Sequence, residues 1–515
     1  MSELSTREVS RRALLAGSIV GAAGLAAGAS STLGTLAKAV EPAAEPEKWD
    51  RECDVLILGA GGTGLVAACA AADAGADVLV VECAEEAGGT TSRSAGIIQA
   101  AGTKWQKEFT DFQNDTPELH AKCYLEQAEG LADEALVTKL CERAPEMLEW
   151  LADIGVVWAD VYGSCHVPYV SEGLHADRIH AQADGARGTR IIELELAEAE
   201  RLGAKVEYET TARRLVFDKE CGVLGVIVEK GGSETAIKAR RGVVIALGGY
   251  DRNEELSRAL CPQNLWDMQT QSLAGNEFAH GDGILMGLSV GAGLATFGGT
   301  IDIDRVTSCG SSNIAPQVPG LIVNSRGCRF VCEDATYAYV GRAVFQQATQ
   351  VGGDCYLVFD SQTFEQGLTS WAEDPEAAVA EGAIFKGETL AEIAKAIDVP
   401  ASNLQATFDL WNANIEASGE DLQFGRNTQL IALDKPPYYA SKMTFNNLGS
   451  MGGLAINDKT EVLDTAGNPI PGLYAGGLST GGWYGTYYPG SGTALAGTLV
   501  WGRIAGENAS ARTAE

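Results

Sequence analysis

The sequence predicts an α/β protein organised around a parallel β-sheet, and three observations predict it. First, the run Asp54-Val55-Leu56-Ile57-Leu58 passes directly into Gly59-Ala60-Gly61-Gly62-Thr63-Gly64. An Ala-rich helical stretch from Leu65 to about Ala74 follows, and then a second run, Asp77-Val78-Leu79-Val80-Val81, that ends on Glu82. Short apolar runs without polar alternation mark strands buried on both faces. Second, Gly242-Val243-Val244-Ile245-Ala246-Leu247 ends in the paired glycines Gly248 and Gly249. Third, Gly472-Leu473-Tyr474-Ala475 ends in Gly476-Gly477, and a helical stretch runs from Ala494 through Ala509.

Taken in order, residues 1–39 do not read as part of the fold. Ser10-Arg11-Arg12-Ala13-Leu14-Leu15 places paired arginines before a weakly apolar run rich in Ala and Gly, which ends near Ala37-Lys38-Ala39. This pattern predicts a cleaved twin-arginine export signal and a periplasmic or other extracytoplasmic protein. The run is too rich in Gly for a membrane anchor, and no other segment has the length and apolarity of a spanning helix. Residues 40–51 read as a linker. The twin-arginine route carries folded proteins, which suits a chain that must first acquire a tightly bound cofactor.

The first glycine motif carries a specific chemistry. Gly59 permits a tight turn, Gly61 lets the backbone approach a pyrophosphate, and Gly64 allows close helix–strand packing. Ala60 lies between them. The helix N-terminus presents N–H groups to phosphates, and Glu82 accepts hydrogen bonds from ribose hydroxyls. Strand, glycines, helix, strand and acid together predict dinucleotide binding. A second cluster of glycines and hydroxyls, Gly88-Gly89-Thr90-Thr91-Ser92-Arg93-Ser94-Ala95-Gly96, extends the site beyond an ADP group. His280-Gly281-Asp282-Gly283 opens a further helix.

With these motifs in this order, residues 54 to about 509 resemble the fumarate reductase/succinate dehydrogenase-type flavoprotein superfamily. The resemblance implies FAD as cofactor and a Rossmann-like FAD-binding domain made of residues 52–277 and 435–515. An α+β substrate (capping) domain would be inserted at 278–434. Its edge strands would read Leu321-Ile322-Val323-Asn324, Arg329-Phe330-Val331 and Cys355-Tyr356-Leu357-Val358-Phe359, with an amphipathic helix over 404–417 capping the site. Residues Gly88, Gly89, Thr90, Thr91, Ser92 and Gly96 would wrap the ribityl chain and flavin. Ala212 would touch adenine through its backbone, and Asp282 would sit in the family's Gly-Asp-Gly turn. Ala494 and Leu495 would lie against the carbonyl edge of the flavin. The family's Ala-Gly-Glu element reads Ala475-Gly476-Gly477 here, so Gly477 stands where a Glu would contact the cofactor. No His lies between Gly88 and Gly96, where covalent members attach flavin, which implies non-covalent FAD.

The same resemblance bears on the substrate. Fumarate reductases carry an Arg proton donor in a Glu-x-x-x-Arg-Asp element. Here Glu333 is retained but Tyr337 stands at the Arg position, and Arg342 lies five residues on. The His before Met-Gly-Gly is absent from Leu448-Gly449-Ser450-Met451-Gly452-Gly453, and Tyr replaces an Arg in Gly485-Thr486-Tyr487-Tyr488-Pro489-Gly490-Ser491-Gly492. A doubly charged substrate would lack partners, and a buried unpaired carboxylate is costly. What remains is a set of hydroxyls and aromatic faces: Tyr337, Tyr339, Trp483, Tyr484, Tyr487, Tyr488 and Ser491. Tyr-Tyr-Pro-Gly-Ser-Gly is similar to the 3-ketosteroid dehydrogenase branch. That likeness implies catalytic roles for Tyr337, Tyr487, Tyr488 and Ser491 on a hydrophobic enone or ketone, with one phenol passing a proton beside the ketone and others holding its carbonyl. Tyr339 and Tyr484 are expected only to pack.

Composition narrows the alternatives. The formal net charge of −31 repels phosphate backbones and anionic lipid surfaces, which excludes nucleic acid as partner. Twelve Cys and five His form no CxxC or CxxCH, so no metal site is expected. His166, His175 and His180 sit in a loop-like region before Gly185. No haem or electron-carrier domain is fused, so a separate protein or quinone is expected to supply or take electrons. Two other readings stay open: an exported reductase of an unsaturated acid, in which Arg178, Arg305 or Arg342 supplies the missing charge, and a flavin-binding carrier without turnover.

Overall fold

The computed structural model describes residues 40–163, 167–171, 173–296, 299–304, 319–365 and 374–514. The proposed export signal at 1–39, His166 and Arg305 lie outside the described residues. β1 (Arg51–Leu58), α1 (Gly62–Asp73) and β2 (Val78–Val81) form the expected strand–helix–strand unit. The helix starts at Gly62, three residues before Leu65, because extended Gly61 serves as its N-cap and the glycines supply the first turn. α2 (Gly188–Arg201) leads into β3 (Lys205–Glu207), and β4 (Thr211–Asp218), β5 (Gly222–Lys230) and β6 (Ser233–Ile245) follow as antiparallel neighbours.

Farther along come β7 (Thr300–Asp304), β8 (Leu321–Val323), α3 (Tyr337–Gln350), β9 (Tyr356–Asp360) and β10 (Phe385–Gly387). α4 (Ala401–Ser418), β11 (Tyr438–Lys442) and β12 (Phe445–Ser450) follow. The chain then returns through β13 (Glu461–Leu463) and β14 (Pro469–Ala475) to α5 (Thr493–Ala511).

The main sheet runs β13-β14-β6-β1-β2-β3, with β4 and β5 joined through β6. β14, β6, β1, β2 and β3 are mutually parallel, with Leu56 beside Leu79 on one flank and Val243 on the other. Alternate side chains separate onto two faces, as strand geometry requires. Val55, Ile57, Val78, Val80 and Val244 pack under the alanines of α1, while Leu56, Leu58, Leu79, Val243 and Ile245 face the other core. α5 lies directly on α1. A Cβ on Gly506 would stand 2.3 Å from the Ala67 carbonyl oxygen and one on Gly502 2.6 Å from that of Thr63, so only glycine allows this approach.

A separate four-stranded antiparallel sheet, β8-β9-β11-β10, lies between residues 321 and 442. Two expectations for this region change. Arg329-Phe330-Val331 is not a strand and makes only an isolated bridge from Arg329 to Val323. The reason is that the Arg329 guanidinium turns inward, to Glu333 and to both oxygens of Asp421 at 2.8 Å. α4 is helical as expected but covers this sheet: Leu404, Phe408 and Trp411 pack with Leu321, Val323 and Val358, and none of the three lines the cofactor cleft. Residues 40–51, read as a linker, hold to the main sheet. Ala43 exchanges backbone hydrogen bonds with Leu215 and Phe217, and the Trp49 ring lies against Gly225.

Candidate active site

At the carboxyl ends of β1 and β2 a cleft of about 260 Å³ opens, the location expected for a ligand on a parallel sheet. Of the sequence-predicted cofactor residues, Gly59, Gly61, Glu82, Gly89, Thr90, Thr91, Ala212 and Asp282 line it. Gly88 and Ser92 line the adjoining opening together with Gly89. Glu82 is buried and organises the loop. Its Oε2 accepts the Ala60 N–H at 2.7 Å and its Oε1 accepts the Ala84 N–H at 2.9 Å. Gly64 lies behind the cleft, where a Cβ would stand 1.9 Å from the Gly59 carbonyl oxygen. α1 has no side-chain cap on its first turn, which leaves that turn's N–H groups to the cleft.

Four further predicted residues stand outside the cleft for identifiable reasons. Gly96 is left-handed (φ +70) and receives Gln182 on its carbonyl, at 2.9 Å. Gly477 is also left-handed (φ +60), and a Cβ there would meet Thr63 Oγ1 at 2.3 Å. The family's Glu therefore has no room at this position, which accounts for the departure in the Ala-Gly-Glu element. Ala494 lies in the first turn of α5, where its N–H donates to the Tyr488 oxygen at 2.7 Å, and Leu495 beside it is buried. Sequence reasoning missed Thr210, Thr211, Asn276, Phe278, His280 and Thr498, all of which line the cleft. Asn276 had no local signal: the hydrogen bond from its N–H to Thr90 Oγ1, at 3.2 Å, spans 186 residues. Gly248 also lines the cleft, and its strand-end position was visible in the sequence.

The residues fit FAD. Gly59, Gly61, Gly62 and Gly89 present bare backbone to the cleft, whose lining extends from Ala212 past the α1 N-terminus to Thr91 and Gly476.

The four predicted catalytic side chains come together as a buried group, none of them part of the lining of this cleft. The Tyr337 hydroxyl lies 3.0 Å from Ser491 Oγ. Tyr337 and Tyr488 rings are 6.1 Å apart, and Tyr487 packs edge-on against Tyr339 at 5.4 Å. Tyr339 and Tyr484 do pack, the latter between Trp483 at 3.8 Å and Tyr488 at 6.0 Å. Tyr337 reaches the cluster from the start of α3, and the others come from the loop before α5.

The described candidate cations are already matched. Arg178 makes a buried bidentate pair with Asp115, both contacts at 2.8 Å, and Arg342 lies 3.7 Å from Glu129. His180 is on a short strand, Ile179–Gln182, rather than a loop. It is buried against Thr103 Oγ1 at 2.7 Å and the Arg178 carbonyl at 2.9 Å, and burial pushes it down to about 4, so it stays neutral. His175 faces a shallow surface hollow beside Asp111 and Leu119. Among the described residues no helix is long and apolar enough to cross a membrane.

Comparison with known proteins agrees with this geometry. The family model described as FAD binding domain matches residues 54–495. A probable fumarate reductase of Shewanella frigidimarina is 31% identical, covering 88% of this chain and 74% of that protein. The digoxin reductase of Eggerthella lenta is 28% identical over 99% of this chain and 97% of its own. Among solved structures, the 3-ketosteroid-Δ4-(5α)-dehydrogenase of Rhodococcus jostii, in complex with 4-androstene-3,17-dione, superposes with a TM-score of 0.78. It is 29% identical and covers 92% of this chain and 100% of that one.

Proposed function

The chain belongs to the FAD binding domain family, and from that premise we propose that it is an oxidoreductase moving hydride between its flavin and an activated carbon–carbon bond of a 3-ketosteroid or similar cyclic enone. Bound non-covalently, FAD supplies or takes the hydride. Gly59, Gly61, Glu82 and the α1 N-terminus would hold its ADP half, with Thr90 and Thr91 farther along the cleft.

One observation carries the substrate reading: where dicarboxylate reductases would need cations, this chain assembles hydroxyls. The Tyr488 oxygen accepts the Ala494 N–H at 2.7 Å, a polarising contact that strengthens the phenol as a donor to a ketone oxygen. Tyr337 and Ser491, 3.0 Å apart, form a hydroxyl pair suited to passing a proton at the carbon beside that ketone. Tyr487, anchored by Tyr339, supplies an aromatic wall. Arg178 is held by Asp115 and brings no net charge for a substrate carboxylate.

A second reading, reduction of an unsaturated acid, draws support from the Shewanella relative and from Arg342. Its partner Glu129 also receives the Thr486 hydroxyl at 2.7 Å, one residue from Tyr487. Anaerobic reoxidation of the reduced enzyme separates the two. We expect 4-androstene-3,17-dione or a cyclohexenone to bleach the reduced form and fumarate to leave it unchanged. Tyr337→Phe and Tyr488→Phe should retain FAD and lose about 10²-fold in rate, the scale of a lost general acid or polarising donor. Ready reduction of fumarate with no response to any enone, or parent rates in both variants, would refute the reading.

A further inference from the structure

Tyr484 does not behave as a packing residue alone. Its side chain is fully buried, yet its hydroxyl has no hydrogen-bond partner among the described residues. Buried polar groups are almost always satisfied, and an unsatisfied one destabilises the fold. The ring is fixed by Trp483 and Tyr488. Burial pushes the phenol well above its ordinary range, with Tyr488, Tyr124 and Tyr337 adding to the shift, so at neutral pH it carries a proton to donate. Its ring stands 6.0 Å from that of Tyr488, which in turn lies 6.1 Å from Tyr337, so the hydroxyl belongs to the same group of phenols. Tyr124 is turned elsewhere, donating to the Trp483 carbonyl at 2.5 Å.

We propose that Tyr484 is a further ligand-binding residue of this site, its hydroxyl donating a hydrogen bond to an oxygen atom of the bound substrate. The proposal rests on the cyclic-enone reading for the identity of that oxygen, a ketone. It also accounts for a fully buried phenol that no packing argument requires, since Phe would fill the same space.

The test is Tyr484→Phe in the FAD-loaded, oxidised protein, with two measurements. In thermal melts without ligand the variant should match or exceed the parent, because the hydroxyl removed has no protein partner. In titrations followed by the flavin difference spectrum, 4-androstene-3,17-dione should bind roughly 2- to 13-fold more weakly, the range of a lost neutral hydrogen bond. A variant that melts several degrees lower would show that the hydroxyl is satisfied within the resting protein, and would overturn the proposal. Unchanged affinity for the dione would overturn it as well. Acrylate provides the second arm. If the parent binds acrylate and not the dione, the enone reading fails, and Tyr484 stands only if the variant weakens acrylate. A parent that binds neither ligand overturns both.

Discussion

Glu82 offers the sharpest test of the cofactor site, through Glu82→Gln. The carboxylate accepts two backbone N–H groups, from Ala60 at 2.7 Å through one oxygen and from Ala84 at 2.9 Å through the other. A glutamine amide has one acceptor oxygen, so in either orientation its NH2 faces a backbone N–H that then has no acceptor. Leaving a buried donor unsatisfied costs about 1–3 kcal/mol, and the bond lost had a charged acceptor, which places the cost in the upper half of that range. Because Ala60 lies between Gly59 and Gly61, the strain falls on the loop that must approach the pyrophosphate. FAD affinity should drop roughly 30- to 150-fold, each factor of ten being about 1.4 kcal/mol. Titration of apoprotein with FAD, followed by flavin fluorescence quenching, measures it. Glu82→Asp keeps two acceptor oxygens and should fall between parent and Gln. If Glu82→Gln binds FAD within about twofold of the parent and melts at the same temperature, then Glu82 neither shapes the loop nor meets the cofactor, and the reasoning fails.

Other expectations follow from the buried charges and the N-terminus. Arg178→Met should destabilise the protein by about 3–5 kcal/mol in urea unfolding, because it leaves the Asp115 carboxylate buried without its cation. Burial raises the Asp115 pKa, but the Arg178 hydrogen bonds and charge outweigh that and hold it below its ordinary range. This part of the stability is therefore present near neutrality and disappears as the pH falls through the lowered value, a loss the Met variant should not show. Glu195 is the opposite case: fully buried, with neither carboxyl oxygen partnered among the described residues, its pKa is pushed well above 4.5 by burial. The folded state keeps its proton longer than the unfolded chain, so this group removes stability as the pH rises above about 4.5. Glu195→Gln should gain melting temperature over the parent increasingly from pH 4 to pH 8, and parallel curves would contradict the assignment. Replacing Arg11 and Arg12 by Lys should leave folded, FAD-loaded protein in the cytoplasm, since Lys lacks the planar guanidinium donors, and unchanged secretion would exclude the twin-arginine route.

Much of the cofactor site was legible in sequence because it is built from local geometry. The turn at Gly59, the N-terminus of α1 and the acid closing β2 all lie within one strand–helix–strand unit, residues 51–82, whose spacing follows from backbone dimensions. The paired glycines after β6 were legible for the same reason. Errors arose where a long-range contact overrode a local pattern. Arg329-Phe330-Val331 has strand-like composition, but the pull of Glu333 and Asp421 on a buried guanidinium outweighed ladder pairing. The apolar spacing over 404–417 does form a helix, but its Leu404, Phe408 and Trp411 face the four-stranded sheet, because that is where β8 and β9 leave uncovered apolar surface. Tyr484 looked like packing because its ring does pack, and only its buried hydroxyl distinguishes it.

By itself the sequence determined the parallel sheet, the glycine loop, Glu82 and the choice of hydroxyls over cations before the last helix. Each of these is a statement about residue type at short spacing, and short spacing dictates backbone conformation directly. The tertiary structure decided which side chains meet: Tyr337 with Ser491, 154 residues apart, and Arg178 with Asp115, 63 apart. It also decided that Gly477 has no room for a side chain, because Thr63 on α1 occupies the space. Such contacts depend on how β-strands order and helices stack after the chain has closed long loops, and no spacing along the chain encodes that order.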